Sequence, residues 1–367
     1  MARRPCARDF VSLLRFRRSS RKARQRRTGL AGLEPLESRL ACAAGGFGTS
    51  GVIGSMKDTA AAAAVASNLD SQWNGRFESA VPYGEPAIPP ELLPDSTWSS
   101  ISLGAGFFTL VAPNATSDQV LDWAASTPGV LDIEPDIPIG PPLNEAPVWE
   151  DGSDPVDTDP TVTPNDPGLA NQWAIPKIQA DSAWSVTTGS RQVIVTVIDS
   201  GIDLTHPDLA ANVWTNPGEI PGNGVDDDAN GFIDDVHGWN FIDGTANVQD
   251  VYGHGTHVSG IIGAVGNNDR GIAGLNWQST IMPLKILNDR GVGTVSAAIA
   301  AINYTTMMRR DFEANILVSN NSWGATSGFS KVLAEAIRLM GDAETLFIAA
   351  AGNNASDNDV SPRYPSS

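Results

Sequence analysis

The chain has 367 residues, 41% hydrophobic and 18% charged, enough for one large domain with a smaller companion and a sizeable core. The formal net charge of −18 is unevenly spread: residues 1–45 hold twelve Lys/Arg and three Asp/Glu, leaving 12 basic and 39 acidic residues for the rest. A body that acidic argues against nucleic acid as a partner and suits an extracellular or calcium-rich setting.

Residues 1–45 read as a basic leader or targeting segment. "RFRRSSRKARQRR" is polybasic and "LACAAGG" offers small residues for cleavage, although Glu34, Glu37 and Arg39 interrupt any apolar signal core. The string "LEPLESRLA" is similar to a leader found on many exported proteins of one bacterial phylum. Together these features predict a secreted or cell-envelope protein, with a plain basic tail as the alternative. Both cysteines, Cys6 and Cys42, lie in this segment, so without it the chain has no disulfide and relies on core packing and metal ions. No run of about 18 apolar residues is present, so no membrane span is expected.

Residues 46–72 are rich in Gly, Ala and Ser and read as a flexible segment. Residues 73–140 read as a small α+β unit: "GFFTLVA" as a strand, "SDQVLDWAAST" as a short helix with an N-capping serine, and "GVLDIEPDIPI" as a second strand. Residues 141–165 are Pro/Asp-rich with almost no apolar periodicity, which makes a linker open to proteolysis. From 166 to 367, strand-like and helical runs alternate. "QVIVTVID" (192–199), "TIMPLKIL" (280–287), "NILVSN" (315–320) and "ETLFIAAA" (344–351) suit strands buried on both faces. "HGTHVSGIIGAV", "VSAAIAAINYTTMM" and "SKVLAEAIRLM" carry helical periodicity. The alternation predicts an α/β fold, a mostly parallel sheet covered by helices on both faces. A nucleotide-binding α/β domain is the competing fold, but no glycine-rich loop directly follows the first strand.

In open α/β sheets, functional groups gather at the carboxyl ends of strands. Asp199 ends "VIVTVID" before a Ser-Gly turn, and His254 opens a helix at "HGTHVSG". The positive end of a helix disfavours an imidazolium and a nearby carboxylate favours it, which is how a histidine can serve as a base near neutral pH. A zinc clamp by His254 and His257 is the weaker reading. The spacing is three rather than four, no glutamate intervenes, and no third ligand is evident nearby.

The motifs "VIDSGIDLTHPDL" (197–209), "GHGTHVSG" (253–260), "GIAGL" (271–275), "NNSWG" (320–324) and "AAAGN" (349–353) resemble those of the subtilisin-like serine proteases in kind, order and separation. The resemblance runs from about Asn165 to the last residue. It implies that Asp199 orients and stabilises His254, that His254 is the general base, and that Asn353 is the side-chain donor to the oxyanion; His257 has no catalytic part. It also implies a substrate groove. Gly291, Val292 and Gly293 would form the strand that pairs with a peptide, and Ser322, Trp323 and Gly324 with Ala350, Ala351 and Gly352 would form the pocket walls. The family's nucleophile lies in a Gly-Thr-Ser-Met-Ala motif, which does not follow "AAAGN" before the chain's last residues, "SPRYPSS". The expectation is therefore an incomplete protease domain, inactive as written. The unit at 73–140 is similar to the family's inhibitory propeptide, an intramolecular inhibitor of a monomeric enzyme acting on proteins and peptides.

Two calcium sites are expected. In "GVDDDANGFIDD" (224–235), Asp226, Asp228 and Asn230 alternate, then come Gly231 and the pair Asp234 and Asp235, resembling the first half of an EF-hand loop. The twelfth position holds His237 instead of glutamate, and a solvated acidic loop is the alternative. The family resemblance implies a second site from Asp166, Asp208 and Asn268, completed by the carbonyls of Val265, Arg270 and Ile272. Of the functions weighed, a calcium-stabilised serine endopeptidase ranks above a catalytically inactive calcium- or peptide-binding module. A non-catalytic groove has no need of Asp199, His254 and Asn353 together.

Overall fold

In a computed structural model that describes residues 71–141, 161–325 and 328–367, the four apolar runs of the C-terminal half become neighbouring strands of one parallel sheet. The readings of residues 1–45, of 46–70 and of linker residues 142–160 fall outside the described residues. Everything described lies in the compact unit Pro35–Ser367.

The N-terminal part gives β1 (Gln72–Phe77), β2 (Ser99–Gly104), β3 (Phe107–Val111), α1 (Ser117–Ser126), β4 (Val130–Pro135) and β5 (Pro138–Gly140). Two four-residue helices, α2 (Ala174–Lys177) and α3 (Ala180–Ala183), lead into β6 (Ile194–Asp199), β7 (Trp239–Asn240), α4 (His254–Gly263), β8 (Thr280–Lys285) and β9 (Gly293–Thr294). Then follow α5 (Val295–Arg310), β10 (Ile316–Asn321), β11 (Gly324–Ala325), α6 (Lys331–Asp342) and β12 (Leu346–Ala349).

The large sheet runs β12-β10-β6-β8-β7, with every pair parallel. All six residues of β6 are buried, as its unbroken apolar sequence requires of a strand covered on both faces. On one face Val197 and Ile281 pack with Val258 and Ile262 of α4. On the other, Ile194, Ile198, Met282 and Leu284 share a core with Ile299 and Ile302 of α5 and Val332 and Ala336 of α6. Thr294 caps α5 by accepting from the Ala297 N–H, and Ser330 caps α6 by accepting from the Leu333 N–H at 2.9 Å. The fold is therefore the α/β arrangement expected, with helices on both faces of a parallel sheet.

The small sheet runs β2-β3-β1-β4 and is antiparallel throughout. Val120, Trp123 and Ala124 of α1 cover one face through Trp73, Phe108 and Leu110. Leu103 and Phe107 join the core under α5. Four details correct the sequence reading. The cap of α1 is Thr116, not Ser117: Thr116 and Gln119 form a reciprocal capping box, which leaves Ser117 as the first helical residue. The stretch Gly129–Ile139 is not one strand, because it leaves the small sheet after Pro135 and enters a different sheet at Pro138. β1 and β2 carried no strand signal that sequence reading recognised. The linker also ends early: the Val162 N–H donates to the Asp181 carbonyl at 2.9 Å, and Asn165 pairs with Asn267 and Asp269.

Candidate active site

The expected catalytic and groove residues converge on the carboxyl edge of the parallel sheet. Asp199 ends β6, the segment Asn288–Gly293 follows β8, Ser322–Gly324 follow β10, and Ala350–Asn353 follow β12. His254 arrives from α4, whose N-cap is Gly253 in a left-handed conformation with φ 93°. Gly255 allows the approach, because a Cβ there would collide with the Gly201 carbonyl in the turn after β6.

His254 Nδ1 lies 2.7 Å from Asp199 Oδ1. Asp199 is fully buried, while the His254 side chain keeps 25% exposure, enough for its other nitrogen to be reached. The same Asp199 oxygen accepts the Ser200 N–H at 2.7 Å, and Asp199 Oδ2 has no hydrogen-bond partner among the described residues. Burial disfavours the charged His254 ring. The Asp199 charge and hydrogen bond, with the Asp250 charge, outweigh that, and its pKa stands above the ordinary imidazole value. His257 moves the other way: burial and the His254 charge lower it against the pull of Asp199. The two histidines thus differ in electrostatics, and only His254 touches a carboxylate.

The groove residues form a small sheet of order β11-β5-β9, with β5 in the middle and antiparallel to both neighbours. Its register pairs Gly140 with Gly324, Ile139 with Ala325 and Gly293, and Pro138 with Thr294. The expected peptide-binding strand is therefore paired with the chain's own segment. Gly291 and Val292 precede it in a tight turn, and a side chain at Gly291 would run into the Tyr252 ring. Trp323 is fully buried in the core cluster that includes Ile139, so its ring does not open onto solvent. On the facing side, the Ala350 N–H donates to the Asn321 carbonyl at 3.0 Å, Ala351 accepts from Asn358, and Gly352 has φ 93°. Asn353 follows directly.

Two carboxylates just before β5 fasten the small unit to the helices, and sequence reading had not singled them out. Asp136 accepts from Asn74 Nδ2 (2.9 Å), the Ile137 N–H (3.0 Å), the Ser296 N–H (3.1 Å) and Ser296 Oγ (2.6 Å) at the start of α5. Glu134 accepts from the Ser330 hydroxyl and the Lys331 N–H at the start of α6. Burial pushes both carboxyls above their ordinary range. Arg76 of β1 adds an ion pair to Glu335 at 3.2 Å.

The acidic loop sorts its residues differently from the alternating pattern. Asp226 accepts from the Asn230 and Gly231 N–H groups, and Asp234 from the Asn223 and Gly224 N–H groups. Asp228 instead gathers with Glu219 and Asp235, one oxygen of each within 4.8 Å of the others. Asn230 and Asn216 donate to Asp228 and Asp235, and the Tyr304 hydroxyl donates to Asp235 at 2.5 Å. Burial pushes Asp235 to about 6. Glu219, in "NPGEI", carries no sequence signal, whereas Asp228 and Asp235 both belong to the acidic motif. In the second expected group, Asp166 accepts from the Asn267 and Asn268 N–H groups, and Asp208 accepts from Asn268 Nδ2 (2.8 Å) and the Ile272 N–H (2.9 Å). The Val265 N–H donates to the Asp208 carbonyl, and Arg270 lies in the same loop.

A buried aspartate at a strand end is thus paired with a histidine on an adjoining helix, beside a β-paired groove at the carboxyl edge of a parallel α/β sheet. Residues 190–367 match the profile of the subtilase family, peptidase S8. Subtilisin-like protease 1 of Plasmodium berghei is 33% identical over 209 residues, covering 53% of this chain and 34% of that protein. Thermitase of Thermoactinomyces vulgaris is 33% identical over 204 residues, covering 55% of this chain and 61% of that protein. The chain thus spans between about a third and three-fifths of these relatives. Fervidolysin from Fervidobacterium pennivorans shares the fold, with a TM-score of 0.52 at 21% identity over 80% of this chain and 41% of that one. Among the described residues, no helix is long and apolar enough to cross a membrane.

Proposed function

We propose that this chain is the propeptide and the Asp-His part of a secreted or cell-envelope serine endopeptidase, and that a segment beyond Ser367 supplies the nucleophile. The observation that carries this reading is the 2.7 Å contact between His254 Nδ1 and buried Asp199 beside a β-paired groove. Asp199 holds the ring so that its other nitrogen can take a proton from a serine hydroxyl and return it to the leaving amine. Asn353, after β12, serves as the side-chain donor to the developing oxyanion. Leu346 and Ile348 of β12, 60% and 42% exposed, support a further covering segment at that edge of the sheet.

Residues 71–140 act as an inhibitor that occupies the groove. Supporting this, β5 takes the place of a bound peptide between β11 and β9, with Asp136 and Glu134 seated at two helix N-termini. Calcium binds the acidic loop through Glu219, Asp228 and Asp235, whose crowded, all-oxygen donors, two buried and one half-buried, fit that ion. The Asp166, Asp208 and Asn268 group, with the carbonyls of Val265, Arg270 and Ile272, forms a second site. When bound, the ion offsets the mutual repulsion of these carboxylates and fixes their loops.

The test is to express the open reading frame past Ser367 and assay peptide hydrolysis and serine labelling by an organophosphonate. Activity lost in both His254→Ala and Asp199→Ala is expected. An extended protein that is folded, freed of residues 71–140 and still neither labels nor cleaves would leave an inactive peptide-binding module as the better reading.

A further inference from the structure

Lys285 ends β8 and is the in-register parallel partner of Asp199 at the end of β6. Its side chain is only 4% exposed. Lysines are almost never buried without a partner, since an ammonium loses its hydration there. Lys285 Nζ donates to the Ser200 carbonyl at 2.7 Å and stands 3.7 Å from Asp289 Oδ1. An apolar side chain of similar length would fill the same space without desolvating a charge, so packing alone gives no reason for lysine.

The reason is found one residue from Asp199. Every polar group of Ser200 is engaged at the junction of three elements. Its N–H donates to Asp199 Oδ1, its hydroxyl accepts the Gly255 N–H at 2.9 Å beside His254, and its carbonyl takes the Lys285 ammonium. The Asp199 carbonyl accepts from the Ile286 and Leu287 N–H groups that follow Lys285. Asp199 Oδ2 has no donor among the described residues, so the carboxylate is held only by the Ser200 N–H and His254. A shift of Ser200, whose carbonyl Lys285 holds, would remove one of those two restraints.

We propose that Lys285 is a positioning residue for the Asp199–His254 pair, holding through the Ser200 carbonyl the residue whose N–H orients Asp199, and carrying a positive charge at the strand position in register with that aspartate. Through Asp289 it also ties the pair to the Asn288–Gly293 turn at the groove. The proposal rests on reading Asp199 and His254 as catalytic, but the coupling it asserts is measurable without any hydrolysis. The charged and titratable groups facing His254 are Asp199, Asp250, His257 and Tyr252; Asp289 lies 3.7 Å from Lys285, whose register partner on β6 is Asp199.

The experiment is an NMR titration of the four histidines in the 367-residue chain, with His254 assigned by His254→Gln. Lys285→Met should raise the His254 midpoint by about half a unit, as expected when a unit charge is lost across a moderately screened distance. Lys285→Arg, which keeps the charge, should hold the midpoint near that of the wild type. Asp289→Asn, at an exposed position, should lower it slightly. A lysine that only fills space would alter melting in Lys285→Met and leave the His254 midpoint unmoved; that result overturns the proposal. Should Lys285→Met fail to fold, an unmoved or raised midpoint in Asp289→Asn does the same. A shift without hydrolysis in any extended protein would instead count against the protease reading and leave the coupling intact.

Discussion

Two groups of carboxylates, at the seam before β5 and in the loop at 216–235, are satisfied in different ways. At the seam before β5, Glu134 and Asp136 each meet N–H and hydroxyl donors at the start of a helix. In the loop at 216–235, Glu219, Asp228 and Asp235 face one another; loop N–H groups donate to Glu219 and Asp228, and two asparagines and a tyrosine lie among the three. Helix N-termini concentrate unpaired donors and positive potential, so the seam carboxylates are complete within the protein. Three carboxylates sharing one space repel, and neutral donors cannot cancel three charges. The same residue types thus form a fastening in one region and, on our reading, a cation site in the other.

The largest expected effect breaks the fastening. Asp136→Ala removes four acceptor contacts at a position that is 5% exposed. Leaving buried donors unpaired there should cost about 3 kcal/mol, or roughly 100-fold in the opening of β5. Amide exchange across β5, measured on the whole chain, should quicken by that factor, with a smaller change for Glu134→Gln, which keeps an acceptor. Exchange within about threefold of wild type would show that strand pairing alone holds β5 in the groove.

The loop should respond to metal where the seam does not. Calcium held at 100 times its dissociation constant adds about 2.7 kcal/mol, which corresponds to a melting shift of several degrees for a protein of this size. Asp228→Asn and Asp235→Asn should each remove part of the shift between calcium and chelator. Asp226→Asn should weaken the turn at Asn230 and Gly231 yet leave the calcium dependence largely in place. Asp136→Ala should leave it unchanged. Superimposable wild-type curves with calcium and with chelator at matched ionic strength would make the loop ordinary acidic surface and erase the contrast with the seam.

How much of this was legible depended on where the determinants sit along the chain. The parallel strands could be read because runs such as "VIVTVID" carry their burial in consecutive residues. The pairing of Asp199 and His254 could be read because each lies in a compact motif. β1 was not legible: Asn74, Gly75 and Arg76 look like a turn, and their strand geometry comes from β3 and β4 on either side. The seam was hidden because Asp136 finds Ser296 160 residues away and Glu134 finds Lys331 197 residues away. Glu219 reaches the acidic loop only through folding. The α1 cap, by contrast, was readable, since Thr116 and Gln119 have capping-box spacing, and it was assigned one residue late.

Asp199 belongs to neither class of buried carboxylate, which gives the smallest and sharpest test. It is neither surrounded by donors nor crowded by other acids: one oxygen serves Ser200 and His254, and the other has no partner among the described residues. Its charge therefore acts chiefly on His254, and Asp199→Asn should show this directly. In the wild type the His254 pKa is raised, so the pair stabilises the fold fully at pH values below the unfolded imidazole value of about 6.5. That contribution fades as pH rises through the raised folded value. In Asp199→Asn burial remains while its main counterweight is gone, so the midpoint should fall below about 6.5, a drop of roughly one unit or more. The sign of the linkage then reverses: the neutral ring is favoured by folding, and this contribution is present above the unfolded value and lost on acidification. NMR titration of His254, with melting followed between about pH 5 and 8, would read both effects. In the extended protein, hydrolysis by the wild type should rise with pH through a midpoint above the ordinary imidazole value, because only neutral His254 can accept the proton. A His254 midpoint in Asp199→Asn that matches the wild type would mean that Asp199 sets the orientation of the ring but not its charge.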